Sequence, residues 1–295
     1  MEQLENNLCK REKELLKELY LKLYKQFSNC HVDIFLCGGD INKDTDRKKI
    51  SDSLSSENYL MIFYPERVFV EYFNLNHTSD YLTLENILAE NVEFIFIICE
   101  SPGSIAELGA FSANEKFRYK IQALLKKEYE KDNSFINLGP VKHLLNYDKS
   151  SVQYYNNENI DDICLKLKNK LKKYFKESKK IKNVCKITGI FYFSCLLLYI
   201  FKELAKDKLY LYIKYVSLII EENKDCSNFD PIYSAAEKLL FNKNFIYAKN
   251  RDTFQLTYKG ANFINKLLNI GNSYKQQCIY NNIICDILKY KYYRY

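Results

Sequence analysis

Apolar residues fall into two rhythms along this chain. Near the N-terminus Leu15, Leu19, Leu23 and Phe27 recur every four residues with Glu and Lys between them, so Leu4 to Phe27 is predicted to be an amphipathic helix laid over a sheet. Continuous apolar runs then take over. The runs beginning at Val32, Tyr59 and Phe94 are short and rich in β-branched and aromatic residues, and they read as strands buried on both faces. The intervening polar stretch from Ile41 to Asn58 is expected to be a loop, and Thr83 to Glu90 a short helix feeding the third strand. Ile105, Leu108 and Phe111 return to helical spacing, in a helix expected to run to about Lys127. Phe135 to Leu138, stopped by Gly139-Pro140, and the run from Val152 to Tyr155 are predicted as the fourth and fifth strands. A basic helix from Ile160 to Lys176 closes this half. Strands and helices alternating over short connections predict an α/β fold with a parallel sheet flanked by helices.

Beyond about residue 178 the pattern changes, which predicts two domains, 1–178 and 179–295. Helices are expected from Ile187 to Leu204, from Leu209 to Glu222 and from Asp230-Pro231 onward, the last pair being a good N-cap followed by proline. Two short strands starting at Phe245 and Thr253 flank the polar turn Lys249-Asn-Arg-Asp252, and a helix opens near Gly260 and runs to Asn269. The tail from Tyr274 to Tyr295 holds six Tyr without a clear period; it is read as packing on a partner or another subunit, in a higher-order oligomer.

Composition refines this picture in three places. The chain has 295 residues, 47% of them hydrophobic, enough for two ordinary domains. Its net charge of +7 is local: Ile163 to Lys186 carries ten Lys and one Glu, and the remainder is slightly acidic. The ten Cys include Cys37, Cys99 and Cys195 in apolar runs, no Cys-x-x-Cys pair occurs, and the three His are scattered. That pattern predicts buried free thiols, no metal site and a reducing cytoplasm. The longest uncharged run, Ile187 to Phe201, has 15 residues, short of the roughly 20 a membrane span needs, so it is read as a buried core helix and no membrane is expected.

Candidate chemistry gathers where strands end. After the third strand come Glu100-Ser-Pro-Gly-Ser104 and then a helix, the place where ligands sit in open α/β sheets. Glu107 is expected on the first helical turn, facing that crevice. Ser104-Ile-Ala-Glu107 also fits a capping box, which would make Glu107 a helix stabiliser instead. Glu100 is read either as a catalytic residue at the strand end, in contact with the sugar hydroxyls, or as a structural residue contacting Gly103. Cys37-Gly38-Gly39 after the first strand lets backbone amides approach a phosphate or sugar, or simply makes a tight turn. Arg47, with Lys48 and Lys49, is read as a phosphate contact or a solvated face, and Tyr64 as a base-stacking or merely packed ring. Ser101, Gly103 and Ser104 supply backbone amides for phosphate.

Five motifs in order, Cys37-Gly-Gly39, Phe63-Tyr-Pro-Glu66, Leu84-Glu-Asn-Ile-Leu-Ala89, the stretch from Glu100 to Phe111 and Asn137-Leu-Gly-Pro140, resemble the effector proteins of bacterial retrons that carry a nucleoside deoxyribosyltransferase-like domain. The resemblance covers about residues 30 to 143. It implies a Rossmann-like, nucleoside deoxyribosyltransferase-like first domain in which Glu107 is the nucleophile on the anomeric carbon and Glu85 the acidic residue that handles the base. The superfamily usually has Asp in the place of Glu85. It further implies a toxin that cleaves the N-glycosidic bond of a nucleotide such as NAD in anti-phage defence, with no cofactor. Control by a reverse transcriptase and its multicopy single-stranded DNA comes with the same resemblance. The residues alone agree with that chemistry, because a carboxylate at close range stabilises or traps an oxocarbenium-like sugar.

The second domain, with helices followed by a hairpin and a closing helix, resembles a winged-helix domain. Its third helix would be the recognition helix, with Lys238 and Lys243, and Lys249 and Arg251 would lie at the wing. Together with Lys172, Lys173, Lys179 and Lys180 of the basic segment these are the candidate nucleic-acid contacts, the bland reading of the segment being a solvated face. Winged helices also serve as protein-interaction modules. The competing reading of the whole chain is a non-catalytic, nucleotide-sensing regulator that binds DNA through this domain.

Overall fold

In the computed structural model, residues 7–27, 31–64, 66, 89–178, 181–221, 229–269 and 274–292 are described. The chain divides into two units, one formed by residues 31–178 and the other by residues 1–30 with 179–295.

The first unit is built on five strands: β1 (Val32–Cys37), β2 (Leu60–Phe63), β3 (Phe94–Ile98), β4 (Ile121–Lys126) and β5 (Val152–Tyr155). They form one sheet in the order β2-β1-β3-β4-β5, with every neighbouring pair parallel. Strands buried on both faces carry apolar side chains at consecutive positions, and β1, β2 and β3 do so without interruption apart from the buried Asp33. One face of the sheet is covered by α2 (Asp46–Ser55) and α5 (Ile160–Glu177): Ile34, Leu36, Phe96 and Leu124 cluster with Ile50, Leu54, Ile163 and Leu167. On the other face α3 (Pro102–Ala113) sets Phe111 edge-on against Phe35 and Phe117. The α/β class and the parallel sheet flanked by helices are therefore as expected.

Three assignments within this unit differ from expectation. The polar stretch after β1 contains α2, capped by Thr45, whose side chain accepts a hydrogen bond from the Lys48 amide; of its buried residues Arg47, Ile50, Ser51 and Leu54, only Ile50 and Leu54 are apolar. The helix after β3 stops at Ala113 and gives way to β4, because Ile121, Ala123, Leu124 and Leu125 are wanted in the sheet centre. Consecutive apolar residues there satisfy a strand and a helix alike. The predicted fourth strand is helical instead: Asn137–Val141 makes a π-helical turn leading into α4 (Lys142–Tyr147), with Phe135 84% exposed. The short helix expected before β3 lies almost wholly outside the described residues.

The second unit contains α1 (Lys10–Glu18, continued by the π-helical Leu19–Tyr24 and by Lys25–Phe27). This corrects the expectation of a helix covering the sheet within a 1–178 domain. A leucine stripe specifies a buried face but not the partner that buries it. Here Tyr20 and Tyr24 pack on Phe193, and Tyr24 donates to the carbonyls of Lys182 and Gly189. Next come α6 (Ile187–Phe201), β6 (Glu203–Ala205), α7 (Lys206–Tyr215) and α8 (Phe229–Asn242). They are followed by β7 (Ile246–Asn250), β8 (Thr253–Leu256), α9 (Tyr258–Asn269) and α10 (Tyr274–Tyr292). The three strands form an antiparallel sheet in the order β6-β8-β7. α6 is buried along nearly its whole length, and among the described residues no helix is long and apolar enough to cross a membrane. The three-residue β6 went unseen because its length leaves no period to read. The tail forms α10, with Ile283 and Ile287 buried at helical spacing.

Candidate functional site

Strand order reverses between β1 and β3, and the loops leaving their carboxyl ends meet there. Glu100 ties them together. Its Oε1 accepts the amides of Gly39 (2.9 Å) and Arg47 (3.1 Å), and its Oε2 accepts that of Asp46 (2.9 Å). The last two are first-turn donors of α2, so this carboxylate occupies the anion-favouring end of that helix. The paired glycines make room for protein side chains. A Cβ on Gly38 would lie 2.8 Å from Arg47 Cδ, and one on Gly39 would lie 2.9 Å from Glu100 Oε1. Cys37 is wholly buried behind them.

Arg47 is 2% exposed. Its terminal nitrogens donate to the Gly39 and Leu36 carbonyls and pair with Glu66, and its guanidinium lies 5.2 Å from the Tyr64 ring centre. The Tyr64 hydroxyl shares a hydrogen bond with Ser51. Both residues thus pack beside Gly39: Tyr64 is a packed ring, one of its two expected readings, and Arg47 is buried rather than on a solvated face.

The loop from β3 into α3 is held by its own serines. Ser101 is the N-cap: its Oγ accepts the Ser104 amide, and Ser104 Oγ accepts the Ser101 amide in return. The alternative reading, a box of Ser104 with Glu107, does not form, because the helix begins three residues earlier, at Pro102. Glu107 therefore lies on the second turn, half-buried and clear of the capping position. Burial, and after it the charge of Glu107, pushes the Cys99 thiol at the end of β3 up to about 12, which places the carboxylate within electrostatic reach of the strand end. Gly103 is exposed in the same first turn.

A group that sequence reasoning missed adjoins this loop. The Tyr155 hydroxyl, at the end of β5, donates to Asp46 Oδ2 at 3.0 Å, and Lys126, at the end of β4, stands 3.8 Å from the same oxygen. Burial, then the negative charge of Asp46, raises the Tyr155 pKa. Both residues are final residues of parallel strands, and that position was the available signal. A cavity of about 380 Å³ opens here, with Cys99, Ser101, Ile105, Lys126, Tyr129 and Asn137 in its wall.

The remaining candidates scatter. Glu85, Lys179 and Lys180 lie outside the described residues. Lys172 and Lys173 are exposed on α5. In the second unit the Lys238 amine nitrogen is buried, Lys243 is half-exposed on the segment after α8, Lys249 pairs with Glu203 at 2.8 Å, and Arg251 is exposed at the hairpin turn.

Sheet order and crevice define the first unit as one of the open α/β proteins, the class that receives ligands at the carboxyl edge of a parallel sheet. The chain belongs to the STM3845 retron effector protein family, whose model matches residues 43–248. It is 36% identical over 179 residues to the "Retron Ec86 putative ribosyltransferase/DNA-binding protein" of Escherichia coli, a match covering 59% of this chain and 58% of that relative. A second Escherichia coli protein, the "Retron Ec73 putative ribosyltransferase/DNA-binding protein", is 30% identical over 139 residues, 44% of either chain. The matched stretches thus span about half the length of these curated relatives.

Proposed function

We propose that this retron effector is an N-glycosidase of the ribosyl-transfer type that cleaves a nucleotide such as NAD and acts as a toxin in anti-phage defence in the bacterial cytoplasm. The observation that carries the reading is Glu107: a half-buried carboxylate at the carboxyl edge of the sheet that the helix does not need as a cap. The names of both relatives agree with ribosyl chemistry. In this reading the Glu107 carboxylate attacks the anomeric carbon as the bond to the base breaks. The electron pair of that bond leaves with the base, which in NAD neutralises the pyridinium and removes the need for a strong acid. Water then releases the ribosyl group from Glu107. Glu85 assists with the base. Glu100 and Arg47 act as positioning residues that shape the crevice. Ser101, Gly103 and Ser104 line the approach.

A reverse transcriptase with its multicopy single-stranded DNA restrains the activity. The order α6-β6-α7-α8-β7-β8 in the second unit supports a winged-helix reading and a nucleic-acid or protein partner for it. The same order favours the second reading, a nucleotide-sensing DNA-binding regulator without catalysis.

The deciding experiment is nicotinamide release from NAD by purified protein. Glu107→Gln is expected to lower turnover at least a thousandfold while leaving the thermal midpoint unchanged. Undiminished turnover in that variant overturns the nucleophile. Retention of intact nucleotide by the unmodified protein favours the regulator.

A further inference from the structure

A second depression in the first unit lies apart from the crevice at the strand ends. It is a groove of about 800 Å³ between the last turn of α3, at Gly109, Ser112 and Ala113, and the segment from Phe135 to Asn146. Gly109 comes two residues after Glu107, about 200° around α3 at 100° per residue, so the groove and the carboxylate lie on different flanks of that helix.

The rim of the groove is apolar and open. Phe135 is 84% exposed and Leu138 59%, and both stand in the wall with Pro140. The tip of the Phe135 ring passes 3.6 Å from the position a Cβ on Gly139 would take, and the rest of the ring is left to solvent. Gly139 and Pro140 belong to the π-helical turn Asn137–Val141, a backbone form found mostly at functional sites.

Charge in the groove has one sign. Arg118, Lys142 and His143 stand in its wall, and none of the described residues there is acidic. The cavity at the ends of β3 and β4 differs, because its wall carries Glu100 and Asp132. Arg118 is held by its Nε, which donates to the Ser112 carbonyl at 3.4 Å, near the end of α3. Among the described residues its terminal nitrogens meet no carboxylate and no other acceptor. Lys142 and His143 are exposed and likewise pair with no carboxylate among the described residues. Cations without a counter-charge beside an exposed aromatic ring match a phosphate chain that carries unpaired bases. An acidic peptide would satisfy the cations and leave the ring idle, and an open groove suits a chain that enters at one end and leaves at the other.

We infer that this groove binds single-stranded nucleic acid, with phosphates at Arg118 and Lys142 and a base stacked on Phe135. The inference rests on the nucleic-acid partner of the proposed function only for the source of the strand.

Binding of a fluorescent oligothymidylate to the full chain, followed over several salt concentrations, tests it. Phe135→Ala is expected to weaken binding about fivefold or more, with the thermal midpoint and the slope of log affinity against log salt unchanged. A duplex of the same length keeps its bases stacked inside, so its affinity is expected to be indifferent to Phe135→Ala, and Phe135→Trp is expected to restore single-strand binding. Arg118→Gln with Lys142→Gln is expected to lower the salt slope by roughly 1.4. If Arg118→Gln does not fold, Lys142→Gln alone, at an exposed position, decides with a change of roughly 0.7. No single-strand binding, unaltered affinity in Phe135→Ala, equal loss for the duplex, or an unchanged slope overturns the groove. Displacement of the strand by thymidine monophosphate at equal nucleotide concentration overturns it in favour of a free nucleotide. Displacement by a polyglutamate peptide, with no dependence on Phe135, overturns it in favour of an acidic peptide. Nicotinamide release separates this result from the glycosidase: strand binding that follows Phe135 in a protein without NAD turnover removes the glycosidase and leaves the groove, and turnover with unaltered binding in Phe135→Ala does the reverse.

Discussion

Two glutamates seven residues apart serve different ends. Glu100 accepts three backbone amides and Glu107 lies on the second turn of α3, past the Ser101 cap, although either is a candidate catalytic carboxylate when only the sequence is read. The difference is measurable as stability. Glu100→Gln replaces an acceptor-only group with one that must turn an NH₂ toward backbone donors, and roughly 2 kcal/mol of folding free energy is expected to be lost. Urea denaturation reads this directly, and an unchanged midpoint would show that the clamp is idle. Misreading at this scale has a definite cause. The spacing Ser-x-x-Glu occurs at 104–107, and the pair that forms the cap, Ser101 with Ser104, has a serine at the place usually held by Glu or Gln. Arg47 shows a related limit, since a charged residue in a polar stretch gives no sign that it will be buried against glycines eight and nine residues earlier in the chain.

At the scale of elements, the strands that carry unbroken apolar runs were legible from the sequence. β1, β2, β3 and β5 fall where the runs are. β4 and the turn at 137–141 exchanged identities, because four or five apolar residues fit either period and only the sheet's demand for a neighbour to β3 selects one. α1 was legible as a helix and misplaced as a layer. What fixes its placement is polar. Glu12, 4% exposed, accepts from Lys208 and from the Tyr212 hydroxyl of α7, and from its own Cys9 amide. Burial alone would raise the Glu12 pKa, but these hydrogen bonds and the Lys208 charge outweigh it and hold the carboxyl below its ordinary value of 4.5. A folded pKa that is depressed contributes stability present above the unfolded value and lost as the pH falls through the folded one. The thermal midpoint of the native chain is therefore expected to drop more steeply below about pH 4.5 than that of Glu12→Gln, which starts lower at neutral pH. Parallel acid limbs for the two proteins would refute the link.

For the molecule as a whole, positive charge is unevenly placed. Lys172 and Lys173 stand exposed on α5, while the cations expected of a recognition helix are reduced by the burial of the Lys238 amine. If α5 carries the single-stranded partner, removing both lysines lowers the slope of log affinity against log salt by roughly 1.4. A titration of single-stranded DNA over several salt concentrations checks this, and an unchanged slope removes α5 from the contact. The clamp at Glu100 has a different consequence, in the time course of folding. Its three amides belong to the stretch after β1, 53 to 61 residues earlier in the chain. They gain their acceptor only when β3 has slotted in beside β1. The β1–α2 corner is thus late to become ordered, and its amide hydrogens at Gly39, Asp46 and Arg47 should gain exchange protection in the same kinetic phase as the β3 backbone, however early α2 itself coils.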